Sequence, residues 1–154
     1  MSARALEESD MMRGWACEQC LRRLFHGLDS ADYPALGDCF MADGVWHRRG
    51  VALTGRGAIL MAMRERPATY RVHHVITNCL VLDSAATILD AAFYMTAYRY
   101  AVASTVDVTP RLSEPPAFFL GTARFARDET AWRVSELTYR RVCELVTDAA
   151  RAAE

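Results

Sequence analysis

Through the first 65 or so positions apolar residues recur at three- and four-residue steps; beyond them the chain turns to runs of β-branched and aromatic residues. Ser9 or Asp10 can cap a first helix whose apolar positions are Met11, Trp15, Leu21, Leu24, Phe25 and Leu28. The turn signal Asp29-Ser30 ends it. Asp32 caps a short second helix that tolerates Pro34 in its first turn and carries Tyr33, Leu36, Cys39 and Phe40 on its apolar side. The two form a helical hairpin. After Asp43-Gly44, Val45 to Leu53 reads as a strand or tight strand pair, and Thr54 caps a third helix with Ile59, Leu60 and Met63, closed by Pro67.

Four long strands are predicted next, over Tyr70 to Leu82, Thr87 to Ser104, Ala117 to Ala126 and Ala131 to about Val142. Short turns at 83–85 and 127–130 and a longer loop with Pro110, Pro115 and Pro116 favour an antiparallel meander. The tail around 148–151 reads as a short helix. Helices first and strands after predict an α+β fold, with helices covering one face or mouth of a strongly curved, mostly antiparallel sheet. No repeat, linker or low-complexity stretch interrupts the 154 residues, so one domain over 1–154 is expected.

Composition narrows the chemistry. The chain is 52% hydrophobic and 24% charged, which excludes disorder and collagen and suffices for a real core. Its net charge of -1 and dispersed basic residues leave no electrostatic footprint for nucleic acid or a membrane surface. All 18 basic residues are Arg, so neither a Schiff base nor a Walker-type phosphate loop can be built. The N-terminus lacks a signal peptide's apolar segment and no stretch is long enough to span a membrane, so a cytoplasmic protein is expected. Cys17, Cys20, Cys39, Cys79 and Cys143 read as free thiols, with Cys17-x-x-Cys20 a helix-packing pair. His26, His47, His73 and His74 lack a metal-ligand spacing, so no metal and no cofactor are expected.

Five segments in order, Asp29-Ser-Ala-Asp32-Tyr33, Phe40-Met-Ala-Asp-Gly-Val-Trp46, Leu53-Thr-Gly-Arg56, Arg71-Val-His-His74-Val-Ile-Thr-Asn78 and Trp132-Arg-Val, resemble the SnoaL-like group of the nuclear transport factor 2-like superfamily. The resemblance spans roughly Cys20 to Arg141 and implies a cone-shaped α+β barrel. Within the group the chain is similar to scytalone dehydratases, in which a Tyr-Asp pair ends the first helix and a His on the first long strand is the acid/base. Asp29 and His74 match that Asp and His, while Leu28 stands where the Tyr would be. The resemblance further implies a homodimer, with a trimer as the scytalone-dehydratase-like exception.

Strand alternation puts Val72, His74, Ile76 and Asn78 on one face and His73, Val75, Thr77 and Cys79 on the other, and the resemblance selects the face of His74 and Asn78 as the interior. A neutral imidazole beside a carboxylate is the commonest general base near neutral pH. His74 is therefore the candidate base and Asp29 its orienting carboxylate, against the plainer reading of Asp29 as a helix cap. Candidate substrate contacts are Asn78, Trp46, Tyr33, Tyr94 and Tyr98. Tyr94, Thr96, Tyr98 and Tyr100 share one strand face, where a phenol could donate to a developing enolate oxygen, or where the stripe could form a subunit interface. His47-Arg48-Arg49 reads as a solvated edge, one of Arg140 and Arg141 as a contact for an anionic group or as a surface ion pair, and Arg56 as structural. The expected function is a cofactor-independent lyase or isomerase acting on a hydrophobic cyclic ketone or polyketide-like molecule. Its rival is a non-catalytic ligand-binding or assembly module of the same fold, including one like the small subunit of a ring-hydroxylating dioxygenase.

Overall fold

A computed structural model describes residues 8–102, 108–112 and 115–143; the expected helix over 148–151 lies outside these. Its elements are α1 (Glu8–Ser30), α2 (Tyr33–Asp38), β1 (Phe40–Arg48), β2 (Val51–Thr54), α3 (Gly55–Arg64), β3 (Tyr70–Ser84), β4 (Ile88–Ala101), β5 (Ala117–Arg127) and β6 (Trp132–Cys143). The strands form one six-stranded sheet in the order β2-β1-β6-β5-β4-β3, curled but not closed. Every neighbouring pair is antiparallel except β1 with β6, which run parallel. The expected barrel is thus an open α+β cone whose free edges are β2 and β3.

Three local expectations change. Phe40 leaves the second helix, because α2 stops at Asp38 and the chain enters β1 at once, leaving Phe40 fully buried beside β6. Met11 and Trp15 are 54% and 56% exposed. The buried stripe of α1 runs through Cys17, Leu21, Leu24 and Leu28, and at about 100° per residue Trp15 lies about 200° around the helix from Cys17. Thr54 precedes α3 as its cap residue, but its side chain makes no capping hydrogen bond.

The core lies between that stripe and the concave face of the sheet, where Phe93, Met95, Phe125 and Leu137 are buried to 1% exposure or less. Gly121 sits directly across from Phe93 in the β4–β5 register, and a Cβ there would meet the Phe93 ring at 2.2 Å. That missing side chain lets the ring lie over β5 and reach Phe25 of α1, 6.1 Å between centroids.

Among the described residues no helix is long and apolar enough to cross a membrane. Cys17 and Cys20 are buried free thiols; burial pushes Cys17 up to about 12, so it stays protonated and packs as a small apolar group.

Candidate active site

The end of α1 meets the free edge of the sheet. Alternate backbone N–H groups of an edge strand point away from the ladder and need other acceptors. On β3 one of these belongs to His74, and Asp29 Oδ2 accepts it at 2.7 Å. The second oxygen, Oδ1, lies 2.5 Å from Nδ1 of the His74 ring. A carboxylate only accepts, so Nδ1 carries a proton, and in the neutral ring Nε2 is then the nitrogen with the lone pair. The His74 and Asp29 side chains are 9% and 11% exposed, so water competes little for either bond.

Neighbouring contacts fix the pair. Phe25 packs on the His74 ring at 5.1 Å, and Arg66 donates to the Leu28 carbonyl at 2.8 Å, tying down the helix end that bears Asp29. A negative charge in the last turn of a helix opposes the helix dipole, so the bonds to His74 hold Asp29 there against its local electrostatics. Capping of α2 falls to Asp32, whose Oδ1 accepts from Ala35 N at 3.1 Å.

His74 lines a recess of about 720 Å³ on the concave side of the sheet. Leu53, Val72, Met95, Ala97 and Phe119 supply apolar wall. Tyr139 faces in from β6, and burial holds its phenol above the usual range against the pull of Arg48 and Arg49. The same recess is lined by Arg48, Arg49, Arg66, Arg99 and Arg141.

The predicted substrate contacts fare differently from the dyad. Asn78 points out of the recess: β3 carries a bulge between Thr77 and Leu80, Asn78 takes a left-handed φ of +50°, and its side chain is exposed. The extra residue breaks the alternation that put it on the face of His74. Tyr94 and Tyr98 occupy the outer face of β4, opposite Thr77 and His73, while Met95, Ala97 and Arg99 face the recess. Trp46 is core, stacked on Phe40 at 5.8 Å and edge-on behind Tyr139. Tyr33 packs half-buried against the core at the start of α2, away from the recess lining.

His73 lies outside, stacked on Tyr100 and 2.7 Å from its hydroxyl. His47 pairs with Glu136 at 2.9 Å and Arg49 is exposed, as a solvated edge would have them, but Arg48 is half-buried and both arginines border the recess. Arg56 donates to the Phe40 carbonyl at 2.7 Å, a structural tie between α3 and β1. Tyr139, Arg48, Arg49 and Arg99 are the recess residues that sequence reasoning missed. The signal for Arg99 was alternation with Met95 and Ala97; that for Tyr139 was alternation with Leu137.

The profile of the SnoaL-like domain matches residues 13–138. The chain belongs to the SnoaL-like domain family. Among solved structures this SnoaL-like domain is similar to a hexachlorocyclohexane dehydrochlorinase of type 3 from Novosphingobium barchaimii LL02, at 15% identity and a TM-score of 0.73 over 88% of this chain and 90% of that one. A hexachlorocyclohexane dehydrochlorinase of type 2 aligns at 13% identity and a TM-score of 0.68 over 90% and 95% of the two chains. A nuclear transport factor 2-like protein with a cystatin-like fold from Novosphingobium aromaticivorans aligns at 19% identity and a TM-score of 0.70 over 92% and 88%. A comparison with curated protein sequences finds no match. At these identities the likeness speaks to the fold.

Proposed function

We propose that this SnoaL-like domain is a lyase or isomerase of the dehydratase, cyclase or ketosteroid-isomerase type that works by proton transfer without a cofactor. The observation that carries this reading is that His74 lines the recess while Asp29, outside its lining, holds Nδ1, which in the neutral ring leaves Nε2 as the nitrogen with the free lone pair. Nε2 takes a proton from the carbon next to a carbonyl, and the C–H electrons move to the carbonyl oxygen as an enolate. Asp29 steadies the imidazolium so formed. The proton then returns to a departing hydroxyl, which leaves as water while a C=C bond forms, or to another carbon. With Asn78, Tyr94 and Tyr98 outside the recess, the enolate oxygen falls to Tyr139, whose neutral phenol can donate a hydrogen bond. Solved relatives of the same fold that are dehydrochlorinases, enzymes named for an elimination, support the lyase class.

The substrate on this reading is a cyclic ketone or polyketide-like molecule whose rings rest on Leu53, Met95 and Phe119. The active form is a homodimer in the cytoplasm, and the aromatic outer face of β4 with Phe118 is the surface suited to a second copy. A thermal-shift screen of cyclic ketones, steroids and aromatic polyketide intermediates identifies binders, since a ligand of the folded state raises its melting temperature by mass action. Turnover of those binders by the wild type and its loss in an equally stable H74A variant is the expected result. Equal turnover by H74A overturns the proposal, and binding without turnover by the wild type selects a non-catalytic binding module.

A further inference from the structure

Five of the 18 arginines line one recess, and Glu65 is the one carboxylate among its lining residues. The chain as a whole has a net charge of -1, so positive charge is concentrated here. Arg66 serves the Leu28 carbonyl, and the guanidinium of Arg48 lies over the Trp46 ring at 5.7 Å. Arg141 lies over Phe119 at the same distance. Arg49 and Arg99 stand nearest to a shared task. Arg99 is two residues beyond Ala97, the register partner of His74, so it is a diagonal neighbour of the base on the same face.

Arg49 occupies the two-residue hairpin loop between β1 and β2, where it and Gly50 have φ of +52° and +79°. Such a loop favours Asn or Gly at its first position, and a left-handed Arg costs the fold something that its backbone does not return. The charge of Arg48, then burial and the charge of Arg99, hold the Arg49 guanidinium below its usual range. Arg49, in the β1–β2 loop, and Arg99, on β4, thus sense each other across the recess that both line. Like charges gathered this way weaken the empty protein, and an anion between them reverses the sign of the interaction.

We infer that the recess selects a ring compound bearing a carboxylate, with the rings on the apolar wall beside His74 and the carboxylate held between Arg49 and Arg99. The inference rests on the recess being the substrate site, and it replaces a purely hydrophobic ligand with an amphipathic anion. A guanidinium fork matches a planar carboxylate in two parallel hydrogen bonds, which a neutral amide or ester cannot reproduce.

The test uses the full chain and a panel of bicyclic and tricyclic aromatic carboxylates, each paired with its primary amide, in calorimetric titration at low and high salt. The carboxylate of at least one pair is expected to bind about tenfold or more tightly than its amide, with the gap narrowing as salt rises. R99Q and R49N are each expected to shrink that gap severalfold while leaving amide affinity unchanged. R49N installs Asn-Gly, the favoured residues for this loop, so it should keep or raise the melting temperature and leave folding out of the result. No preference for any carboxylate over its amide, or a preference untouched in the double variant R49N/R99Q, overturns the inference. H74Q separates this from the proton-transfer reading, because it keeps the carboxylate preference whichever way its turnover falls.

Discussion

Both carboxylate oxygens of Asp29 hydrogen-bond to one residue, His74, Oδ2 to its backbone N–H and Oδ1 to its ring, while Nδ1 of His73 stands off at 3.8 Å from Oδ2. One side chain therefore seals an edge of the sheet and sets the tautomer of a ring that faces the recess. D29N separates these tasks. An amide can keep its oxygen on the backbone N–H, but it then presents an NH₂ donor to Nδ1 and drives the proton to Nε2. Turnover should fall by about 10²–10⁴-fold, while stability drops by about 1–3 kcal/mol. Two-bond ¹H–¹⁵N spectra of labelled histidine read the tautomer directly, and an Nδ1–H signal that persists in D29N contradicts the account.

Asn78 makes the opposite prediction. Its left-handed backbone in the β3 bulge favours Asn or Gly over Ala, and its side chain is exposed. N78A should lose about 1 kcal/mol of stability, N78G little or none, and both should turn over substrate as the wild type does. Denaturant melts and steady-state rates check this, and a rate loss in N78G at full stability returns Asn78 to the site.

The contrast between Asn78 and His74 marks how far the sequence could be read. Helix spacing and strand composition placed α1 through β6, and the pairing of Asp29 with His74 came from the resemblance of their two segments to the SnoaL-like group. Side-chain alternation is a period of two, and one inserted residue reverses it, so Asn78 and the positions up to the next irregularity after Val81 were out of phase. For Tyr94 and Tyr98 alternation itself was right, but choosing the inward face needed the curl of the sheet. Arg48 and Arg49 looked solvated because charge is usually exposed. Their place on the recess depends on the parallel pairing of β1 with β6, a contact between strands some 90 residues apart, even though Arg49 itself stays exposed.

G121A tests the packing that supports His74. A methyl group at 2.2 Å from the Phe93 ring forces that ring toward Phe25, which in turn packs on the His74 ring. Overpacking of this kind should cost about 1–3 kcal/mol and reduce turnover as well as the melting temperature. A second change, F93L, should restore part of both. Full activity in G121A contradicts the chain of contacts.

Acid sensitivity has an identifiable source at the β5–β6 turn. The Arg133 guanidinium, with Nε at 2.5 Å, and the backbone N–H groups of Thr130 and Ala131 hold the Asp128 carboxyl well below the usual carboxylate range. A carboxyl lowered in the folded state stabilises fully above its unfolded value of about 3.9, and that contribution is lost as pH falls below it toward the folded value. Wild type should therefore melt higher than D128N at pH 7, with the difference closing between about pH 5 and about pH 2. A gap that stays constant over this range contradicts the assignment.

The central claim is that His74 Nε2 moves the proton. With a binder that turns over, the direct measurement is deuterium incorporation from D₂O at the carbon next to the carbonyl, followed by NMR for wild type and H74Q. Gln can still donate to Asp29 but cannot take a proton, so the surrounding contacts survive while the base is removed. The account predicts steady incorporation by wild type and a loss of about 10²-fold or more in H74Q at equal stability. Incorporation at the wild-type rate in H74Q would contradict it.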